Sequence, residues 1–247
     1  MALPQPNKKT NDELQWNQSD GEGYYHMDDM RLNEVQFQQF YHTDEDKDSS
    51  RNAIAHEKYR WPNGDLKFFF AESITEEQKQ KVRSAYTKFN AIFEGCLNIR
   101  EISPLAPEDW NMVYLTNYGS GCHSSVGMQG QPQQLNLQAP CYSYRTIIHE
   151  FLHAFGLYHM QSRPDRDQYV DIVWDNIYSS KHHNYEKAST SLTFGVPYDG
   201  RSFMHYRSFT SFNINPYQPS IISKVNLKQC TTSKEIVEQR SKSISDC

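Results

Sequence analysis

The run His149-Glu150-Phe151-Leu152-His153, followed by Gly156 and His159, constrains this chain more than any other segment of it. On a helix, residues four apart lie one above the other on the same face, so His149 and His153 can hold one ion between them. Zinc suits imidazole ligands at about 2.0–2.1 Å, and a catalytic zinc keeps three protein ligands with one position open. Glu150, one residue round from His149, is placed to take a proton from water as a general base. It would do so where bound zinc lowers the pKa of water to about 7. Gly156 supplies the positive φ at which a helix can stop and turn back sharply, and that turn brings His159 round as third ligand. The five-residue motif alone recurs by chance on exposed polar helix faces. Gly156 and His159 at these offsets make that reading improbable, and apolar Phe151, Leu152 and Phe155 give the helix the buried side that the floor of a cleft needs.

Charge separates the chain into two parts. Residues 1–51 hold five Lys/Arg against eleven Asp/Glu, whereas the whole chain of 247 residues is only −5, so the remainder is close to neutral. An acidic leader ahead of a nearly neutral body reads as two functional units. The small net charge argues against a nucleic-acid partner, and no apolar stretch has the length of a membrane span. Five cysteines (Cys96, Cys122, Cys141, Cys230, Cys247) all lie in the body, and none has the C-x-x-C spacing of a zinc knuckle or redox motif. Structural disulfides, and with them an oxidising compartment, are the favoured reading. Met1–Thr10 has no apolar core of the secretory type, so an export signal is expected to lie ahead of it.

In the leader only Tyr24–Tyr41 has enough aromatic and apolar side chains to pack on something, and Asp44–Ser50 is a charged run open to cleavage that ends at Arg51. From Trp61 the pattern becomes globular. Pro62-Asn63-Gly64 marks a turn before a strand over Leu66–Phe70. Ser73-Ile74-Thr75-Glu76 has capping-box spacing, and Val82, Ala85, Tyr86, Phe89, Ile92 and Phe93 follow at helical intervals up to Gly95. Strands are expected at Asn98–Ile102 and Met112–Leu115 and around Val126 and Leu135–Leu137. A second helix is predicted over Tyr144–Phe155, an irregular lobe after it, and a last helix near Thr232–Ser241.

With its third histidine in place the sequence resembles the metzincin metallopeptidases, and within them the astacin family. Arg60-Trp61-Pro62-Asn63-Gly64 is similar to that family's opening near the mature amino terminus, and Gly121-Cys122 with Val126-Gly127 to its cysteine loop and edge strand. Arg163-Pro164-Asp165-Arg166-Asp167 resembles the pattern after the zinc motif, and Ser202-Phe203-Met204-His205-Tyr206 the methionine turn. The resemblance covers about residues 52–247. It implies a two-lobed α+β protease fold: a mixed twisted sheet plus two long helices in the amino-terminal lobe, and a largely irregular carboxy-terminal lobe. It implies Zn2+ held by His149, His153 and His159, Glu150 as general base, and Met204 in the turn beneath the metal. Tyr206 would be a phenol that ligates zinc at rest and swings to stabilise the oxyanion, a role suited to an O–H donor. His182, His183 and His205 are then ordinary polar residues. Substrate, a protein or peptide, would lie extended along the edge strand near Ser124–Met128.

The same resemblance pairs Cys122 with Cys141, and Cys96 with Cys247 or Cys230. It makes residues 1–51 an inhibitory propeptide removed by a trypsin-like protease at Arg51–Asn52, and residues 52–247 a secreted catalytic domain. Family propeptides block zinc with an aspartate in a Phe-x-Gly-Asp segment; His26-Met27-Asp28-Asp29 is the nearest match here, with Asp29 as zymogen ligand. The competing reading leaves Asp28 and Asp29 as solvated acids. Met160 stands where the family has a glutamate that binds the new amino terminus. Methionine cannot accept that bond, so the ammonium of Asn52 is expected to be mobile or solvent-bound after trimming. These departures frame an alternative, a proteolytically silent binding or regulatory protein on the same scaffold.

Overall fold

The computed structural model describes residues 19–20, 23–41, 53–54, 56–103, 110–118, 120–188, 191 and 195–224. Arg51–Asn52, the segment Thr232–Ser241, Cys230 and Cys247 lie outside them.

Buried apolar residues anchor four of the body's strands, β3 (Asp65–Phe70), β4 (Asn98–Glu101), β5 (Val113–Thr116) and β7 (Gln133–Leu137), while β6 (Cys122–Ser125) buries the polar pair Ser124 and Ser125. The leader contributes β1 (Tyr24–Met27) and β2 (Met30–Asn33), and the seven form one sheet in the order β1-β2-β6-β7-β5-β3-β4. β3, β4, β5 and β7 run parallel, and β6 is antiparallel to β7. The leader strand β2 then lies parallel to β6, with Met30 opposite Ser124 and Arg31 opposite Ser125. An edge strand presents unpaired backbone groups to any passing chain. Here the leader takes them: Ser124 N–H donates to Asp29 O at 2.9 Å and Val126 N–H to Arg31 O at 3.2 Å.

Two helices pack together against the sheet, α2 (Glu76–Ile92) and α3 (Tyr144–Ala154). Their buried stripes, Val82, Ala85 and Phe89 on one and Ile147, Phe151 and Ala154 on the other, meet Leu66, Phe68, Leu115 and Leu135 in the main core. The capping box that opens α2 is Thr75 with Gln78, two residues beyond the Ser73–Glu76 pair. Both pairs satisfy the pattern. The structure selects the second because Ser73 donates its hydroxyl to Asn117 Oδ1 at 2.6 Å and Ile74 is drawn into the core.

The leader also has α1 (Glu34–Tyr41), opened by a reciprocal cap in which Gln36 N–H donates to Asn33 Oδ1 and Asn33 N–H to Gln36 Oε1. Met27, Met30, Leu32, Phe37 and Phe40 form a second core with Ile54, Tyr59, Val126 and Tyr158 of the body. Phe40 meets Tyr158 edge-on at 5.5 Å between ring centroids. Buried Gln36 donates its amide to Val126 O at 2.7 Å, so the leader satisfies body carbonyls as well as covering apolar surface. Beyond α3 the chain runs through short 3₁₀ turns and one two-stranded ribbon, β8 (Val170–Ile172) with β9 (Ile221–Ser223). Polar side chains brace that lobe. Arg163 grips Asp165 through both carboxylate oxygens at 2.8 and 2.7 Å, and Asn176 reaches Gln218 O at 2.8 Å.

Phe68 is fully buried and lies edge-on to Phe70, Tyr86 and Phe151. Phe68→Ala is expected to lower unfolding stability by about 3–5 kcal/mol, read as a fall in the urea midpoint at unchanged slope.

Candidate metal centre

The centre stands at the end of α3, where the sequence forces a turn. Ser143 caps the start of the helix, accepting from Thr146 N–H, and Phe155 ends it. Gly156 follows at φ +101, a conformation that L side chains rarely adopt; a Cβ there would come within 2.8 Å of Ile54 Cγ2. The last carbonyls of α3 are capped from three sides. Ala154 O accepts from the Trp61 indole at 2.7 Å, and His153 O accepts from Gly127 N–H at 2.9 Å and Gly156 N–H at 2.8 Å. The returning chain then carries His159 to the two helical histidines, and Met160 N–H donates to Met204 O at 2.7 Å, tying this stretch to the second lobe.

Four side chains converge. Asp29 Oδ2 lies 3.0 Å from His149 Nε2, and Asp29 Oδ1 lies 3.3 and 2.9 Å from Nε2 of His153 and His159. One donor atom from each of the four residues falls within 4.8 Å of all the others. A tetrahedron with bonds of about 2.1 Å has edges of about 3.4 Å, so the spacing suits a small tetrahedral cation. The orientation suits it too. Asp29 Oδ1 and His153 Nε2 are buried without a hydrogen-bond partner despite their closeness, as lone pairs aimed at a common point must be. The far ring nitrogens are spoken for at two of the histidines: His149 Nδ1 pairs with Phe203 O at 2.8 Å and His153 Nδ1 with Leu157 O at 2.7 Å. Each carbonyl fixes the tautomer that leaves Nε2 free for a metal. Burial, with the neighbouring imidazoles, pushes His153 down to about 4, which keeps it in the neutral ligand form. Burial would raise Asp29, but His159 and His149 outweigh it and hold the carboxyl well below its ordinary value.

Glu150 is also buried, with Oε2 unpartnered. Desolvation, then the charges of Asp29 and Asp28, push its pKa well above the usual carboxylate range. Tyr206 packs over His159 at 4.8 Å between centroids and donates its hydroxyl to Asp28 Oδ2 at 2.5 Å. Desolvation and the two aspartates raise the phenol well above 10, so it stays a donor. Met204 is buried with Met160, Tyr185 and Tyr198 in the second lobe's apolar cluster. Met160 therefore fills a packing position; Asn52 lies outside the described residues. His205 pairs with the Tyr198 hydroxyl at 2.7 Å, and His182 with Ile177 O at 3.1 Å. Cys122 and Cys141 are bonded to each other, and Cys96 is also disulfide-bonded.

A cleft of about 630 Å³ opens onto the centre, lined by His26, Asp28 and Asp29 of the leader and by His123, Arg145, His149, Glu150 and Tyr206 of the body. His123 and Arg145 escaped the sequence reading because neither belongs to a motif.

A family model for the astacin peptidases, Astacin, matches residues 53–246. The chain belongs to the astacin family. Meprin A subunit beta from Homo sapiens is 38% identical over 189 residues, which are 73% of this chain and 25% of that protein. Zinc metalloproteinase nas-14 from Caenorhabditis elegans is 32% identical over 200 residues, 79% of this chain and 38% of that protein. The chain thus spans a quarter to two fifths of these relatives' length. Among solved astacin structures, high choriolytic enzyme 1, a hatching enzyme zinc-protease from Oryzias latipes, superposes with a TM-score of 0.63 at 28% identity. That match covers 71% of this chain and 87% of that one. The α+β fold expected of an astacin is the one found.

The His123 ring senses how the leader sits on this astacin body. Burial pushes His123 down to about 4, helped by His26 of β1 and Arg31 of β2, while Ser120 and Asp29 pull the other way. His26 itself pairs with Asp20 at 2.9 Å and meets the His123 ring edge-on. A depressed histidine disfavours proton uptake in the docked state. The seat is therefore at full strength above the ordinary histidine value of about 6.5 and weakens as pH falls from there towards 4. NMR titration of the His123 ring is expected to give about 4 in the full chain. Trimming the leader should return it towards 6.5; a full-chain value already near 6.5 would contradict the docking described.

Proposed function

We propose that the chain is a secreted zinc endopeptidase held latent by its own leader. The observation that carries this reading is the convergence of three imidazoles beside a buried, partly unpartnered glutamate, with the leader's aspartate set among them.

His149, His153 and His159 would hold Zn2+. Zinc supplies Lewis acidity towards water and a carbonyl oxygen. Glu150 takes the proton from the attacking water and hands it to the departing amine. Its carboxylate is buried with Oε2 unpartnered beside the histidines, where it can take up a proton and give it back. Tyr206 donates its phenolic hydrogen to the oxyanion that forms as the carbonyl carbon becomes tetrahedral. β6 offers backbone groups along which an extended peptide can lie. Its residue Cys122, the linked Cys141 and the disulfide-bonded Cys96 fit an oxidising, extracellular setting. Among the described residues no helix is long and apolar enough to cross a membrane.

Three of these elements are engaged by the leader. Asp29 sits among the histidines, Asp28 takes the Tyr206 hydroxyl, and β2 lies along β6. On this reading residues 1–51 are an inhibitory propeptide, removed by a trypsin-like protease at Arg51–Asn52, and residues 52–247 are the catalytic domain acting on proteins or peptides. A silent scaffold is disfavoured, because every residue that performs chemistry is present and converges.

The trimmed protein is expected to cleave casein, and a chelator to abolish the cleavage. Glu150→Ala is expected to lower kcat by about 10²–10⁴-fold with zinc content unchanged. Full activity in that variant, or none in zinc-loaded trimmed protein, would refute the proposal.

A further inference from the structure

Asp28 stands in a conformation that its side chain makes costly. It is the first residue of the two-residue turn between β1 and β2, since Met27 pairs with Met30, and its φ is +58. Among the described residues only Asn63 shares a positive φ without being glycine. Glycine occupies that region without a Cβ clash, and two-residue hairpins favour it. Packing does not explain the aspartate, because the residue is exposed. Its carboxylate does something definite: Oδ2 accepts the Tyr206 hydroxyl at 2.5 Å, across 178 positions of sequence. Asp29 beside it turns the other way, into the three histidines.

We propose that the leader carries two latches on adjacent residues: Asp29 at the metal-binding histidines, and Asp28 as a separate clasp that holds the Tyr206 phenol. The inference rests on the reading of residues 1–51 as an inhibitory segment and adds a second point of control to it. Asp29 alone would leave Tyr206 free to turn towards an incoming carbonyl or the metal. With Asp28 in place the phenol's single hydrogen is committed, and the turn and the body are joined by a bond that needs no metal. Removing the metal therefore leaves the leader partly fastened.

Strain and clasp pull in opposite directions, which makes a clean test. Opening of the leader in the zinc-loaded full chain would be read from hydrogen exchange at the β2 amides, with the α2 amides reporting that the body stays folded. Asp28→Gly relieves the left-handed strain and deletes the clasp. In the otherwise native protein it is expected to increase leader opening, by less than the roughly tenfold to hundredfold that a hydrogen bond to a charged group is worth, because the strain relief opposes it. In the Tyr206→Phe background the clasp is already gone, so the same change should leave opening unchanged or reduce it. Equal effects in the two backgrounds would overturn the proposal, as would reduced opening in the native one. Repeating the pair of measurements after chelation should preserve the difference; its loss would mean that the contact depends on the metal and is no separate latch. Asp29→Asn tests the underlying reading on its own. If it leaves leader opening and casein hydrolysis by the full chain unchanged, the inhibitory reading fails. If it opens the leader while the Asp28 pair shows no coupling, only the second latch fails.

Discussion

The structure is organised around the need to bring three imidazole nitrogens to one point at the floor of a cleft. Helix periodicity delivers two of them from α3 at no extra cost, since residues four apart share a face. The third has to come back from beyond the helix end, and that requirement shapes what surrounds it. Gly156 turns at a positive φ against Ile54, and Trp61 and Gly127 cap the freed carbonyls. Phe203 O and Leu157 O hold two rings by their far nitrogens. The apolar face of α3 is fixed in turn by Phe68 and its neighbours in the sheet core. A shift of that helix would spoil the convergence before it cost much packing.

The leader exploits the same point. A centre built to be coordinatively unsatisfied invites a carboxylate, and the β1–β2 turn presents one at the tip of a hairpin stapled to the edge strand. Backbone pairing with β6, an apolar patch from Phe37 and Phe40, and the buried Gln36 amide set the height and register of that tip. The elements of the metal centre and the leader's contacts with them are therefore one physical system. The leader's two aspartates address the three histidines and the Tyr206 hydroxyl.

Much of this could be read from the residues. The histidine spacing announced the helix and the turn that bring His149, His153 and His159 together, and the 3.6-residue pattern of Val82, Ala85 and Phe89 announced α2. Strands β3, β4, β5 and β7 came out within two residues of their observed ends, whereas β6 was placed only around Val126, one residue past its end, and the β8–β9 ribbon lies in the lobe expected to be irregular. Two kinds of feature did not. The start of α2 had two capping boxes two residues apart, and only tertiary facts, the Asn117 partner of Ser73 and the burial of Ile74, chose between them. The leader's hairpin and α1 were missed because their stability comes from pairing with β6 and packing on Tyr158, which local pattern does not carry. A local signal was available in Asn33 and Gln36, which have the spacing of a reciprocal cap. Asp28 looked like one more solvated acid, since nothing in its neighbourhood of sequence points to Tyr206.

Whether the histidines and the leader's aspartate share one ion can be observed directly. Zinc-edge anomalous diffraction from crystals of the full chain should give a single strong peak about 2.0–2.2 Å from Nε2 of His149, His153 and His159 and from an Asp29 carboxylate oxygen. A peak elsewhere, or one at the histidines with Asp29 turned away from it, would contradict the centre and its latch as described.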